Sequence, residues 1–191
     1  MSHLILIALL ACAGGACATR GLTSTLDGDP TTGIPWSATR LRWSDFRGAP
    51  PPGIPNLALT VYRWAVSVNC TGSDFSYRVQ SRFLTQASWV SRALLTSPTA
   101  SRRALEHEQT HFDLSEVHAR RLRQFYAGLP EPCRRTTDEL EALAGPYLAA
   151  DDADQERYDA DTRNGRDELR QARWDAEVQR WLIELTEFAA E

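Results

Sequence analysis

Two stretches in the first half of the chain alternate between apolar and polar residues, which is the pattern of a half-buried β-strand. The first covers residues 59–70, "LTVYRWAVSVNC", and the second begins at Phe75. Residues 71–74 between them, "TGSD", have the composition of a turn. The pattern therefore predicts a β-hairpin. A shorter strand-like stretch is predicted upstream, at residues 40–43, before a proline-rich break.

From residue 97 onward the apolar residues recur at helical spacing. Ser97 followed by Pro98 is a typical helix start, and helix-forming residues continue to Ala127. A helix of that length measures about 45 Å, so we expect a kink or a break within it. The apolar stripe of this helix consists of Leu105, Phe112, Ala119, Leu122 and Tyr126.

Further helical segments follow. Thr136 and Glu139 have the spacing of a capping box that opens a helix. Gly145-Pro146 interrupts it, and helical residues then continue to residue 162. Asn164-Gly165 predicts a tight turn. A last amphipathic helix is predicted over residues 166–187, with an apolar face made of Leu169, Trp174, Val178, Trp181, Leu182 and Leu185.

The N-terminus has the composition of an export signal. Residues 4–11, "LILIALLA", form an apolar run too short to span a bilayer, and small residues follow it. Cleavage of a signal peptide after Ala18 would leave residues 19–35 as a flexible arm and residues 36–191 as a single domain. Alternatively, Cys12 or Cys17 lies where a lipoprotein signal has its lipidated cysteine, which would attach the chain to a membrane. A buried N-terminal helix is the third interpretation. We expect export, to the periplasm, the cell envelope or the medium.

Charge and cysteine content narrow the class of protein. The net charge is −4, and acidic and basic residues alternate along the second half, so we exclude nucleic acid as a partner. If residues 1–18 are removed, only Cys70 and Cys133 remain. In an oxidising compartment two cysteines most simply form a disulfide. Two buried free thiols, or a metal site shared with a histidine, are the alternatives.

Residues 107–111, "HEQTH", carry the clearest chemistry. His107 and His111 lie one helical turn apart on the same face, so both imidazoles can reach one Zn²⁺ ion. Glu108 points beside the metal, where it can act as the general base toward a water that the metal activates. The alternative interpretation is an ordinary polar helix exposed to solvent.

A third zinc ligand is harder to assign. His118 lies about 10 Å along the helix from His111, so we expect it to be a surface residue or one that supports the site without binding the ion. Glu116 is our candidate ligand, provided that the helix unwinds after Phe112. Otherwise Glu116 or Asp113 would orient a ligand histidine. Further candidates follow in the chain: Asp159, Asp161 and Asn164.

Four stretches resemble DUF922, a bacterial family regarded as secreted zinc-dependent proteases. "HEQTHFDLSEVHARRL" resembles its HEQ-x-HFD-x-x-E element, "LRWSDFRG" its W-x-DF-x-G element, "ASWV" the residues before its long helix, and "YDADTRNG…W" its Y-D-x-x-T-x-H-G…W element. The stretches span the chain from about Trp36 to Trp181. The resemblance implies an α+β fold of zincin type, in which a small antiparallel sheet packs on the HExxH helix and further helices follow. Asn164 stands where the family usually has histidine, and if that histidine is a zinc ligand the site is weakened here.

The sequence supports two main hypotheses of function. The first is a zinc metallopeptidase of the bacterial envelope that acts on a peptide or protein, with Glu108 as the general base. The second is a catalytically silent envelope protein that keeps the fold as a binding or structural module. Asn164 favours the second hypothesis, whereas the presence of Glu108 opposes it. A zinc hydrolase acting on the cell wall is a weaker third possibility, and the oligomeric state is not predicted.

Overall fold

A hairpin and a long helix form the centre of the computed structural model, which describes residues 19–23, 33–37, 40–53 and 57–190. The strands in these residues are β1 Thr19–Thr23, β2 Ile34–Pro35, β3 Ala58–Leu59, β4 Val61–Thr71, β5 Asp74–Phe83 and β6 Trp89–Val90. The helices are α1 Arg92–Leu95, α2 Pro98–Ala127, α3 Thr137–Ala142, α4 Gly145–Thr162 and α5 Glu168–Glu184. The predicted α+β class is confirmed.

The predicted hairpin is also confirmed. β4 and β5 pair antiparallel from Tyr62 opposite Phe83 to Thr71 opposite Asp74. Gly72 in the connecting turn has a φ of 63°, which glycine adopts without steric cost. Alternate residues of the two strands form the sheet side of the core: Tyr62, Trp64, Val66, Val79 and Phe83.

The edges of the sheet differ from the sequence-based expectation. β1 pairs in parallel with β4, and β2 pairs antiparallel with β5, so the strand order is β1-β4-β5-β2. Parts of the predicted flexible arm, residues 19–35, therefore extend the sheet. The strand predicted at residues 40–43 is absent, because Trp43–Asp45 is a 3-10 helix. Leu41 and Phe46 on either side of that turn are buried in the core beside Phe83.

α2 is one continuous helix, so the break that we predict in it is absent. Every residue from 107 to 120 is buried, since the sheet covers one side of α2 and α4 and α5 cover the other. Packing on both sides stabilises a long helix that has no proline in its interior. Phe112, Ala119, Leu122 and Tyr126 of the predicted stripe are buried. Leu105 is partly buried and packs against the cluster that contains Phe112.

The helices that follow α2 have nearly the predicted bounds. Thr136 and Glu139 form the predicted capping box at the start of α3, and α4 ends at Thr162. α5 is shorter than predicted, and its first turn exposes 65% of Leu169. Leu169 therefore does not belong to the apolar face, whereas Val178 and Leu182 are buried against α2 and α4.

A disulfide bond joins the end of the hairpin to the segment after α2. It links Cys70 in β4 to Cys133, as predicted. The candidate leader, with Cys12 and Cys17, lies outside the described residues. Within the part of the chain that the structure describes, no helix is both long and apolar enough to cross a membrane.

Candidate metal centre

Three atoms that could bind a metal ion meet between α2 and α4. His107 Nε2 lies 3.2 Å from His111 Nε2, and Asp159 Oδ1 lies 3.1 Å from each of these nitrogens. Ligand atoms about 2.0–2.1 Å from a tetrahedral zinc ion are about 3.3–3.4 Å apart. The three atoms therefore fit Zn²⁺ with only small shifts. Both imidazoles are buried, whereas 21% of the Asp159 side chain is exposed.

The turn between α4 and α5 closes one side of this group. Arg163 and Asn164 have φ values of 52° and 55°, and Gly165 has 74°. A Cβ atom at Gly165 would lie 3.0 Å from Cγ of His107, so the backbone of the turn packs directly on the imidazole. The Asn164 N–H donates to the carbonyl of Asp159, 2.9 Å away. The turn that the sequence predicts at Asn164-Gly165 is thus part of the wall around the metal-binding atoms.

Three residues of α4 and α5 contact the two imidazoles from outside. Gln155 Oε1 is 2.6 Å from His111 Nδ1, and Gln171 Oε1 is 3.1 Å from His107 Nδ1. The Tyr158 ring stacks on His107 at 4.7 Å between centroids. None of the three is among the site residues predicted from the sequence. A signal does exist in α4, where buried polar residues recur at helical spacing: Asp151, Gln155, Tyr158 and Thr162.

Glu108 is buried, with 1% of its surface exposed. Its Oε2 atom is buried and has no hydrogen-bond partner among the described residues. A buried carboxylate oxygen without a donor is costly unless a further group satisfies it. A water held by a metal ion in the adjacent group would supply that donor. The unpaired oxygen therefore fits a metal site that activates water.

The electrostatics of the group favour a positive charge between its atoms. Burial opposes protonation of His111, but the nearby Asp159 and Glu108 carboxylates outweigh it and raise the pKa of His111 to about 9. Burial also opposes ionisation of Asp159, yet the two histidines lower the pKa of its carboxyl to about 2. A cation is stabilised in such a site, because both carboxylates act on it in a region of low dielectric constant.

Glu116, the third ligand that we predict from the sequence, does not belong to this group. Its carboxylate accepts hydrogen bonds from Arg120 Nε at 3.0 Å and from both terminal nitrogens of Arg123 at 3.0 Å. The prediction requires α2 to unwind after Phe112, and α2 does not unwind. Glu116 therefore remains on the side of the helix where the two arginines bind it.

The other candidates also have partners of their own. Asp113 accepts from Trp36 Nε1 and Gln109 Nε2, each at 2.8 Å. The side chains that contact the Nδ1 atoms of the two histidines are instead those of Gln155 and Gln171. Asp161 accepts from Trp174 Nε1 at 3.2 Å.

His118 is only 1% exposed, so it is not a surface residue. Its Nε2 lies 3.0 Å from Asp154 Oδ2, one of a separate set of polar contacts between α2 and α4. The continuous helix also keeps His118 about 10 Å along its axis from His111.

A family match covers the part of the chain that carries the candidate site. A family model described as "Bacterial protein of unknown function (DUF922)" matches residues 58–165, which is more than half of the 191 residues. The matched range includes Glu108 and the three residues that could hold a metal ion. No curated protein and no solved structure matches the chain.

Proposed function

We propose that this chain, which belongs to the DUF922 family, is a zinc-dependent hydrolase that cleaves peptide bonds. One observation carries the proposal: three atoms that could bind a metal ion lie within 4.8 Å of one another, and the neighbouring Glu108, whose carboxylate acts on His111, has a buried Oε2 with no partner among the described residues.

The donor set favours zinc over the common oxygen-binding cations. Two imidazoles and one carboxylate are typical ligands of catalytic zinc sites, whereas Mg²⁺ and Ca²⁺ prefer oxygen ligands alone. Catalytic zinc sites have three protein ligands and one open position, and structural zinc sites have four protein ligands. Among the residues that the structure describes, His107, His111 and Asp159 supply three. This count supports a catalytic site.

The residues around the centre have distinct roles in hydrolysis. Zn²⁺ bound by His107, His111 and Asp159 would lower the pKa of a water and polarise the substrate carbonyl. Glu108 would accept at its Oε2 the proton that the attacking water loses, and would return it to the leaving amine. Burial of Glu108 strengthens these interactions because little bulk water screens them.

A catalytically silent module is the second candidate, and the burial of the two histidines favours it. Their exposed fractions are 2% for His107 and 0% for His111, so a substrate would have to approach through the partly exposed side of Asp159. In such a module the bound metal would join α2 to α4 and stabilise the fold, without hydrolysis.

The disulfide supports the export that we also propose. Disulfides persist in oxidising compartments and are rare in the cytosol. The Cys70–Cys133 bond therefore favours the periplasm, the cell envelope or the medium. Analysis of the mature N-terminus by mass spectrometry would separate cleavage after Ala18 from lipidation at Cys12 or Cys17.

Metal content tests the centre directly. The protein is exported to a bacterial periplasm, purified without chelators and analysed for zinc. We expect about one zinc per chain, because the donor set forms one site, and none in a His107→Ala/His111→Ala variant. His118→Gln is the matched control, since His118 is a buried histidine of the same helix outside the group. Absence of zinc from the parent protein would exclude the proposed centre.

Hydrolysis separates the two candidate functions. Glu108→Gln should keep the zinc but slow cleavage of an unfolded protein substrate by roughly 10²–10⁴-fold, as the loss of a general base does. Glu106→Gln, an exposed glutamate two residues earlier, should cleave at the parent rate. A zinc-loaded parent that cleaves no peptide would favour the silent module. Equal rates in the parent and Glu108→Gln would remove Glu108 from the mechanism.

A further inference from the structure

We infer that Gln155 and Gln171 are positioning residues, which fix the imidazole nitrogen that each histidine presents to the metal. The inference rests on the zinc centre proposed above. A neutral imidazole has one N–H and one nitrogen with a free lone pair, and only the second can bind a metal. The hydrogen-bond partner of the nitrogen that does not bind the metal decides where the hydrogen lies.

The contacts of Gln155 show which ring nitrogen of His111 carries the hydrogen. Gln155 Nε2 lies 3.0 Å from the carbonyl oxygen of His111 and 2.9 Å from Asp151 Oδ1. A carbonyl oxygen can only accept, so the amide nitrogen must face it. The amide oxygen then faces His111 Nδ1, 2.6 Å away. An oxygen acceptor at that distance requires Nδ1 to carry the hydrogen, which leaves Nε2 for the metal.

The contacts of Gln171 give the same result for His107. Gln171 Nε2 donates to Asp175 Oδ1 at 2.8 Å, and the Thr110 hydroxyl donates to the same oxygen at 2.6 Å. The amide nitrogen is therefore directed at a carboxylate, and the amide oxygen lies 3.1 Å from His107 Nδ1. His107 Nδ1 carries the hydrogen, and Nε2 is directed at Asp159.

The two glutamines belong to different helices, and each is oriented by a carboxylate four residues away in its own helix. Asp151 orients Gln155 in α4, and Asp175 orients Gln171 in α5. General packing does not require the same hydrogen-bonding arrangement twice. Binding of one ion by two histidines does require it, because a hydrogen on either Nε2 would occupy the position of the ion.

An amide also suits the charge of the centre. Carboxylates often accept the second hydrogen of a ligand histidine, but each would add a negative charge to a buried group. With neutral amides, the carboxylates that act on the imidazole of His111 are those of Asp159 and Glu108. A divalent cation balances these two charges, which lowers the cost of burying them.

Zinc affinity tests the inference. Gln155→Leu and Gln171→Leu remove the acceptor, and we expect each to weaken zinc binding by about 10–100-fold, measured by competition with a chromophoric chelator. Gln179→Leu is the matched control, because Gln179 also lies in α5 and donates to a carboxylate of α2, that of Asp113. It should bind zinc as the parent does.

Two further measurements separate positioning from packing. Gln155→Glu and Gln171→Glu keep an oxygen acceptor and lose the donor, so they should bind zinc more tightly than the leucine variants even where they are less stable. In the zinc-loaded parent, ¹⁵N NMR should show both histidines bound through Nε2 with a protected Nδ1–H. The leucine variants should lose that protection at His111 or His107, respectively. If a leucine variant does not fold, the glutamate variant and the NMR signals of the parent still decide the result.

The outcomes are distinct. Leucine variants that bind zinc as tightly as the parent would overturn the role of the glutamines and leave the zinc centre intact. Coordination through Nδ1 in the parent would also overturn it. A parent protein that binds no zinc would exclude the centre itself, and the role of the glutamines with it.

Discussion

Gly165 shows how a residue without a side chain shapes the candidate centre. Its backbone lies so close to His107 that an added Cβ would meet Cγ at 3.0 Å and Cβ at 3.1 Å. Contacts this short cannot be kept, so either the turn or the imidazole would have to move. Because His107 Nε2 must lie about 2 Å from a bound zinc, even a small shift of the ring should weaken zinc binding.

Gly165→Ala should therefore weaken zinc binding as well as stability. We expect a loss of about 1–3 kcal/mol in the free energy of unfolding from the left-handed backbone conformation alone, together with a lower zinc affinity. Gly72→Ala is the control, since Gly72 has a φ of 63° and no atom within 4 Å of its added Cβ. Denaturant unfolding and chelator competition measure the two effects. Equal zinc affinity in both variants would show that the contact with His107 is unimportant.

At the residue scale, the sequence predicts which residues share one face of a helix. It does not predict which residues of different helices contact each other. The HExxH spacing identifies His107, His111 and Glu108, because residues four apart share a helix face. Asp159 lies 52 residues from His107 in the chain, and only the packing of α4 on α2 brings it close. Glu116 is nearer in sequence, yet a continuous helix keeps it away. Sequence proximity is a poor guide to the third ligand for this reason.

The middle of α2 is the element whose sequence is most misleading. Its many polar residues are typical of a helix exposed to solvent, which was one of our alternatives for "HEQTH". In the structure these residues are buried, and several of their polar groups have partners in other elements. Gln109 Oε1 accepts from the Leu41 N–H at 2.7 Å, and the Thr110 hydroxyl donates to Asp175. Burial thus excludes the exposed polar helix.

Glu116→Gln tests the buried ion pairs that fix α2 in this position. Arg120 and Arg123 would lose the charged partner that both bind. We expect a loss of about 3–5 kcal/mol in the free energy of unfolding, the usual effect of breaking a buried ion pair on one side. Zinc content should not change, because Glu116 is not a ligand.

Urea unfolding and metal analysis of the folded variant check both parts of this prediction. Glu177→Gln is the control, since its ion pair with Arg180 is exposed and exposed pairs contribute little. Loss of zinc from the folded Glu116→Gln variant would indicate that Glu116 is a zinc ligand.

For the whole molecule, local elements can be predicted and their arrangement cannot. The hairpin and the long helix follow from local periodicity and cap residues. The parallel pairing of β1 with β4 joins residues about forty positions apart, from Thr19 opposite Val61 to Thr23 opposite Ala65. No local pattern specifies such a pairing, because it depends on closing a long loop. The disulfide is an exception among long-range contacts, since only two cysteines remain after the candidate leader.

The disulfide lies just beyond the C-terminal end of α2, whereas the candidate metal centre lies near the middle of this helix, so we expect the two to act independently. Cys133 follows the C-terminal end of this helix, and sixteen residues separate His111 from Ala127, which corresponds to about 24 Å along the axis. A Cys70→Ser/Cys133→Ser variant should lose about 4 kcal/mol of stability in the chain-entropy model, since the bond spans 63 residues. Zinc affinity should stay at the parent value, measured at a temperature where the variant is folded.

Reactive thiols at both positions in the native oxidised protein would contradict the pairing. A parallel loss of zinc affinity would instead show that the far end of α2 controls the geometry of His107 and His111, which sites this far apart on a well-packed helix should not do.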